Sequence, residues 1–489
     1  MSRHNKNPHA SNEDAAWYSK FVKKPAGKDK SESRRSPADT SSADTARTVQ
    51  KNRTYTKRST DYPQRNPPDN TTIHTSYPQH AAQRSADPCK VTACSELFDD
   101  NAVPADAKEV LEHFDDIVQS AVGLTSRHIA RLSAQIRSLC HELTDQRPDR
   151  RVGYLNDTQY LTAYTYYYVW WNLVRLVKLF ANLPAGSIIT EQGTVCADIG
   201  SGPLTVPIAL WLARPELRNR PLVWYCVDIS ASALSLGENL FLAVAARTLA
   251  SGTDAAGTSG AEPWRIIRVK GELGVPLKQK ASLITCANMF NELLQHQSMP
   301  PEFLAKKYAG AIMSYADVSS TFFIGEPGVP QAARFISLLR DALMKSGCTP
   351  SAPCPHADAC PMAGRTFKNR NAKWCNLAFS TDDAPARLLK LSASAGIPKE
   401  RAVLSFILAS SGSGQDTGSA DSVTLRIISD PIRLPGNRTG FYACSALGLT
   451  LVVAQHHRNV RSGSSITIAM PDTKKLGTDP KTGAVEIII

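Results

Sequence analysis

From Ser95 to about Leu183 apolar residues recur every three or four positions, as one buried helix face requires. Val110, Leu111, Phe114, Ile117 and Val118 form one such stripe, and Ile129, Leu132, Ile136 and Leu139 form a second. The aromatic run Tyr164–Trp171 continues into Leu173, Leu176, Val177 and Phe180, which predicts a helix buried on most sides as core rather than a ligand box. After Ala185-Gly186 the period changes. Short apolar runs at Val195–Ile199, Leu222–Val227, Arg265–Val269, Leu283–Ala287 and Thr321–Ile324 alternate with helical stretches at Pro203–Ala213, Ser230–Leu249, Pro301–Ser314 and Gln331–Met344. That alternation predicts an α/β domain with a doubly wound parallel sheet. Runs at Val403–Ala409, Ser422–Ile428, Gly440–Ala454 and Ser465–Ala469 predict a small C-terminal β-rich section. The Ser/Gly/Thr-rich stretch 250–260 reads as a surface loop, and no internal repeat is visible.

Residues 1–88 show neither period. They are rich in Ser, Thr, Asn, Gln and Pro and nearly free of aliphatic side chains, so they are expected to be disordered. This stretch holds sixteen Lys/Arg against nine Asp/Glu, part of a net charge of +12 for the 489-residue chain. A basic balance suits a polyanionic partner, and Trp17, Tyr18, Tyr55, Tyr62 and Tyr77 among the basic residues suit stacking on RNA bases. A solubilising tail explains the same composition. Nine acids fit a mitochondrial transit peptide poorly, and the first residues have no apolar run of a secretory signal. The most apolar window, Tyr160–Leu183, is broken by Asn172, Arg175 and Lys178, so no membrane span is expected.

The run Val195-Cys-Ala-Asp198-Ile-Gly200-Ser201-Gly202-Pro203 ends one strand and opens a helix. Two glycines let the backbone turn sharply and lie against a ligand near helix N–H groups. A dinucleotide loop wants a third glycine at position 205, which is Thr. The next strand ends on Asp228, spaced to hold the ribose hydroxyls of a nucleoside. This stretch resembles the S-adenosylmethionine-dependent methyltransferases. The resemblance implies a seven-strand-type core and a cofactor site of Asp198, Gly200, Ser201, Gly202, Pro203, Asp228 and Asn288. Asn291 and Glu292, in the loop after the fourth strand, are the weak catalytic candidates. Glu292 equally suits a helix cap or a cofactor contact, and the Asn/Asp-Pro-Pro-Tyr/Phe signature of base amino methylation is absent.

Eleven cysteines in a chain expected to stay inside the cell read as thiols or metal ligands. Cys354 and Cys360, each followed by proline, cannot sit in regular helix, and Cys375 follows them. Thiols clustered on a loop suit a metal, with disulfide pairing as the alternative. Cys196, Cys226 and Cys286 stand singly on apolar strands, as buried inert thiols do. A fourth ligand from Cys444, Cys348 or His356 stays open, and with it the choice between zinc and an iron–sulfur cluster.

The sequence Ala352-Pro-Cys354-Pro-His356, then Cys360-Pro and Trp374-Cys375, resembles the methyltransferase-like proteins of the small ribosomal subunit, found in bacteria and mitochondria. Tyr154, Ala163-Tyr164, Asn291-Glu292-Leu293, Glu326-Pro-Gly-Val-Pro330, Arg426-Ile-Ile, Arg433, Tyr442-Ala-Cys444-Ser and Gly448 extend the likeness over roughly residues 95–470. It implies a [4Fe–4S] cluster on Cys354, Cys360, Cys375 and Cys444, S-adenosylmethionine in the core, and small-subunit ribosomal RNA as partner. Arg365, Lys368, Arg370 and Lys373 would give the cluster loop a basic surface, or simply a solvated one. The expected organisation is a disordered basic tail (1–90), a helical domain (91–185), the cofactor-binding Rossmann-like core (186–347), a Cys-rich metal-binding segment (348–400) and the β-rich segment (401–489). A monomer in the bacterial cytoplasm is expected, with the mitochondrion as the alternative. Two accounts stay open: an enzyme methylating ribosomal RNA, or a non-catalytic assembly factor that keeps the cofactor fold and a structural metal.

Overall fold

Alternating side chains on the central strands are buried on both faces, so helices must cover both. In the computed structural model, Trp224 and Cys226 enter one core while Tyr225 and Val227 enter the other. The structure describes residues 88–144, 153–188, 194–251, 262–362, 373–411, 421–454 and 460–489. Most of the expected tail and of the expected 250–260 loop, and Arg365, Lys368 and Arg370, lie outside these residues.

In chain order, β1 (Val91–Ser95) is followed by α1 (Ala105–Glu112), α2 (Phe114–Val122) and α3 (Ser126–Thr144). Then α4 (Thr158–Tyr164) passes through a π-turn, Thr165–Val169, into α5 (Trp170–Asn182). The core alternates β2 (Val195–Ile199), α6 (Thr205–Ala213), β3 (Val223–Asp228), α7 (Ala231–Ser251), β4 (Arg265–Lys270), β5 (Ala281–Ala287), α8 (Pro301–Met313), β6 (Ala316–Pro327) and α9 (Pro330–Lys345). β7 (Cys348–Ala352), β8 (Leu377–Ser380), α10 (Ala386–Ser394) and β9 (Arg401–Ser411) complete the first sheet and its cover.

The first sheet runs β4-β3-β2-β5-β6-β9-β7, with β8 on β9. β2 to β6 are parallel, and β9 lies antiparallel between β6 and β7. This is the doubly wound α/β sheet the alternation predicts. The chain order reverses between β2 and β5, and α/β sheets bind ligands at the carboxyl ends of strands flanking such a reversal. α5, α6 and α7 share one core with the α1–α3 unit, while α8 and α9 cover the opposite face. By length and composition alone α7 could cross a membrane. Here its Leu234, Leu240, Phe241 and Val244 are buried in the first core.

The second sheet contains β10 (Ser422–Ile427), β11 (Ile432–Leu434), β12 (Arg438–Ser445), β13 (Gly448–Ala454), β14 (Ser465–Ala469) and β15 (Val485–Ile488). Its order is β1-β14-β10-β12-β13-β15, with β11 on β12. Two segments therefore sit differently from expectation. β1, taken with the helical domain, pairs with β14, because its extended backbone completes that edge. β9, taken with the C-terminal section, belongs to the first sheet, where its apolar face fills the gap beside β6.

Candidate functional site

At the sheet reversal the backbone turns through Gly200 (φ +70°) and Gly202 (φ +50°), left-handed conformations that favour glycine. The Gly200 and Ser201 amides donate to the Val227 carbonyl, both at 2.9 Å. The Gly202 amide donates to Asp228 Oδ2 at 2.9 Å, and Ser230 donates to Oδ1 at 2.8 Å. Loop and second-strand carboxylate thus form one hydrogen-bonded unit. Burial pushes the Asp228 carboxyl up, opposed by the N–H groups of Ser230 and Gly202. Helix α7 presses on this loop: a Cβ at Gly237 would lie 2.5 Å from the Pro203 carbonyl carbon.

Asp198 is 1% exposed and has a different part. Its oxygens accept from Ser201 Oγ and Thr285 Oγ1, both at 2.6 Å, so it fastens the loop to β5. Burial pushes it up to about 7 against those two hydroxyls. Asn288 (φ +60°) turns the chain after β5, and Met289 packs where a Gly200 side chain would stand.

Glu326 has no site role in the motif reading, yet its carboxyl organises the loop after β5. It is buried and accepts from the amides of Phe290 (2.7 Å) and Asn291 (3.1 Å). Glu292, in turn, accepts from Tyr154 Oη at 3.2 Å, and Ser230 Oγ donates to the Leu155 carbonyl at 3.2 Å. Residues 154–155, from the helical region, thereby bridge the ends of β3 and β5. Ile229, 37% exposed beside Asp228, offers an apolar surface there.

Burial pushes Glu326 up to about 8, outweighing the two N–H donors; the Glu292 charge adds to the rise. Between the ordinary value of 4.5 and about 8 the folded chain keeps a proton that the unfolded chain has released. Its contribution is full below 4.5 and is lost as pH rises through 8. Glu326→Gln is expected to flatten that decline in denaturant titrations at stepped pH, leaving the part due to Asp198. An unchanged slope would assign the titration elsewhere.

A second constellation lies beyond β7. Cys354, Cys360, Cys375 and Cys444 line one cavity with Arg340 and Arg426 and the apolar Ile336, Met362, Phe406 and Ile428. β7 delivers Cys354, the turn before β8 delivers Cys375, and β12 delivers Cys444 from the other sheet. Burial raises all four thiols, Cys360 to about 11. The charges of Arg340 and Arg426 oppose the rise at Cys354. Arg340 also donates to the His356 carbonyl (2.9 Å), and Arg426 to that of Pro353 (3.0 Å), so both cations brace the loop. His356 Nε2 lies 3.2 Å from Cys444 Sγ. Cys348 is buried in the core under α8 and α9 and does not line the cavity. All eleven cysteines are free thiols. Among the described residues no three His, Cys, Asp or Glu side chains are grouped to hold a metal ion. Lys373 Nζ sits 4.2 Å over the Tyr442 ring.

A family model described as mitochondrial small ribosomal subunit Rsm22 matches residues 194–438. No curated protein matches the sequence. Among solved structures, the plantazolicin methyltransferase BpumL in complex with SAH is 10% identical, with 60% of this chain and 99% of that chain covered and a TM-score of 0.28. The 16S rRNA (adenine(1408)-N(1))-methyltransferase of Catenulisporales acidiphilia is 12% identical, covering 46% and 88%, with a TM-score of 0.26. The 16S rRNA methyltransferase KamB is 10% identical, covering 45% and 88%, with a TM-score of 0.25.

Proposed function

Because the chain belongs to the mitochondrial small ribosomal subunit Rsm22 family, we propose that it is a methyltransferase-like protein that acts on the small ribosomal subunit through its RNA, holds S-adenosylmethionine in the first sheet and carries a [4Fe–4S] cluster on Cys354, Cys360, Cys375 and Cys444. The family's description favours the mitochondrion over the bacterial cytoplasm. A net charge of +12 suits a polyanionic partner.

The observation that carries the cofactor reading is the hydrogen-bonded unit of Gly202 and Asp228 at the sheet reversal. Asp228 accepts from the Gly202 and Ser230 amides, with the Ile229 amide also close, and a carboxylate's four lone-pair sites leave capacity for a ribose hydroxyl. The turn Gly200–Pro203 would pass the amino-acid part, Ile229 would face the base, and Asn288 would border the reacting end. Asp198 and Ser201 act one step back, keeping that turn on β5. Bound there, S-adenosylmethionine supplies an electrophilic methyl group. Glu292, tied to Tyr154, positions the substrate-side loop; on the non-catalytic account this fastening serves an RNA-binding shape alone.

Four thiols, Cys444 buried and the other three half-buried, face two arginines and an apolar wall and make a donor set for a metal that ionises all four. Zinc and an iron–sulfur cluster both take thiolates, and the four-cysteine set is the one the family likeness implies for a cluster. A redox-inert alternative is a structural zinc using His356.

Asp228→Ala is expected to weaken S-adenosylmethionine binding at least about tenfold, since a carboxylate hydrogen bond contributes about 1.5–3 kcal/mol. Calorimetry measures this, with co-sedimentation on small subunits and transfer of labelled methyl to their RNA as companion readings. Equal affinity would remove Asp228 from the site. Wild-type protein that neither sediments with small subunits nor binds the cofactor would overturn the reading. Sedimentation and cofactor binding without methyl transfer would select the non-catalytic account.

A further inference from the structure

Several buried cations among the described residues meet a carboxylate, and Arg426 donates to the Pro353 and Gly463 carbonyls instead. Lys178 meets Asp383 at 2.5 Å, Arg218 meets Asp106 at 2.5 Å, and Arg340 meets Asp341 at 2.9 Å. Arg175 on α5 and Lys399 in the loop before β9 differ. Both are half-buried, burial and the Arg175 charge pull the Lys399 ammonium down, and among the described residues neither meets a carboxylate. Arg175 donates one hydrogen bond, to Asn172 Oδ1 at 2.8 Å, and its Nε is buried without a partner. Lys399 Nζ lies 5.5 Å from the Tyr167 ring and 5.8 Å from the Trp171 ring. Such contacts are worth about 0.5–2 kcal/mol, too little to offset two like charges taken from water together.

The surface beside them is aromatic. Tyr164 and Tyr168, half-buried around the π-turn, stack at 5.3 Å, and Tyr154 meets Tyr164 edge-on at 6.3 Å. These rings lead from the cation pair to Tyr154, whose hydroxyl binds Glu292 at the methyl-donor end of the sheet. π-turns are rare and recur at functional sites. α3 flanks one side through Tyr160–Glu142, and the end of α10 flanks the other through Tyr167 and the Ile397 carbonyl.

We propose that Arg175 and Lys399 bind a phosphate of a single-stranded RNA segment whose bases lie along Tyr164 and Tyr168, leading the strand toward the loop of Glu292. Two fixed cations supply the phosphate contact, and the solvent-reaching edges of the half-buried Tyr164 and Tyr168 rings border the strand. The site rests on the RNA reading above and adds its place on the molecule.

Fluorescence anisotropy of full-length protein with a labelled single-stranded oligouridylate tests it, with AMP as competitor. Lys399→Gln and Arg175→Gln are each expected to weaken binding about five- to tenfold and to make the salt dependence shallower by about 0.7 per lost phosphate contact. Lys399→Arg restores binding, and calorimetric affinity for S-adenosylmethionine stays at the wild-type value. Competition by AMP at its own concentration would keep the phosphate site and assign it to a free nucleotide. If wild type binds the oligonucleotide and both variants bind it equally, the site is wrong and the RNA reading stands. If wild type binds neither the oligonucleotide nor small-subunit RNA, the RNA reading fails and takes this site with it.

Discussion

Cys360→Ser is expected to leave the protein colourless and to lower its thermal midpoint by several degrees. Anaerobically purified wild type should show a broad band near ~400 nm with about four irons and four sulfides per chain. The size of the effect follows from where the thiols come from. β7 and β8 belong to the first sheet and β12 to the second, so a cluster on the four cysteines joins elements that no continuous strand joins. Metal binding energy then becomes folding energy, and its loss belongs with the few substitutions that cost on the order of 4 kcal/mol or more. Cys348→Ser, buried outside the cavity lining, should keep the colour and so controls for loss of a buried thiol. Iron retained in Cys360→Ser with an unchanged midpoint would exclude Cys360 as a ligand. One zinc per chain without colour would replace the cluster with a zinc site.

Gly237→Ala is expected to destabilise the chain by about 1–3 kcal/mol, the usual cost of overpacking, and to weaken S-adenosylmethionine binding tenfold or more. Helix propensity argues the other way, favouring alanine by about 1 kcal/mol. The clash wins because it falls on backbone. The new Cβ would sit 2.5 Å from the Pro203 carbonyl carbon and 2.8 Å from the Leu204 nitrogen. Relief requires α7 to retreat or the loop to shift, and the loop cannot shift without stretching the Gly202–Asp228 bond. Denaturant titration and calorimetry read the two effects separately. An Ala variant equal to wild type in both would show that α7 does not brace the loop.

The parallel strands and their helices were legible because both obey local periods. Trp224 to Val227 is apolar at every position, which only a strand buried on both faces requires. Gly200, Gly202 and Asp228 were legible because the turn and the spacing impose residue types. β1 was not: its side chains are mostly exposed, and only pairing with β14 makes it a strand. β7 contains Pro350, which suits an edge strand and hides it from a pattern search. Arg340 and Arg175 carry no local signature, and the motifs around Glu326 and Arg426 do not disclose what those two side chains do. Their roles arise from partners far along the chain, such as the Phe290 amide on Glu326 and the Pro353 carbonyl on Arg426. The aromatic run reads as buried on most sides: Tyr167, Trp170 and Trp171 are buried, while Tyr164 and Tyr168 are half-buried.

The pairing of β1 with β14 sets a timetable for biosynthesis. Thr92 Oγ1 donates to the Thr467 carbonyl across 375 residues. At about 5–20 residues per second, β1 waits roughly 20 to 75 seconds for its partner to be made. The first sheet needs nothing beyond β9 and can close earlier. The nascent chain therefore passes through a stage in which the first sheet can close while Cys444 has not yet been synthesised. Any metal delivered then meets three thiols, and the fourth arrives only with the strand that seals the cavity.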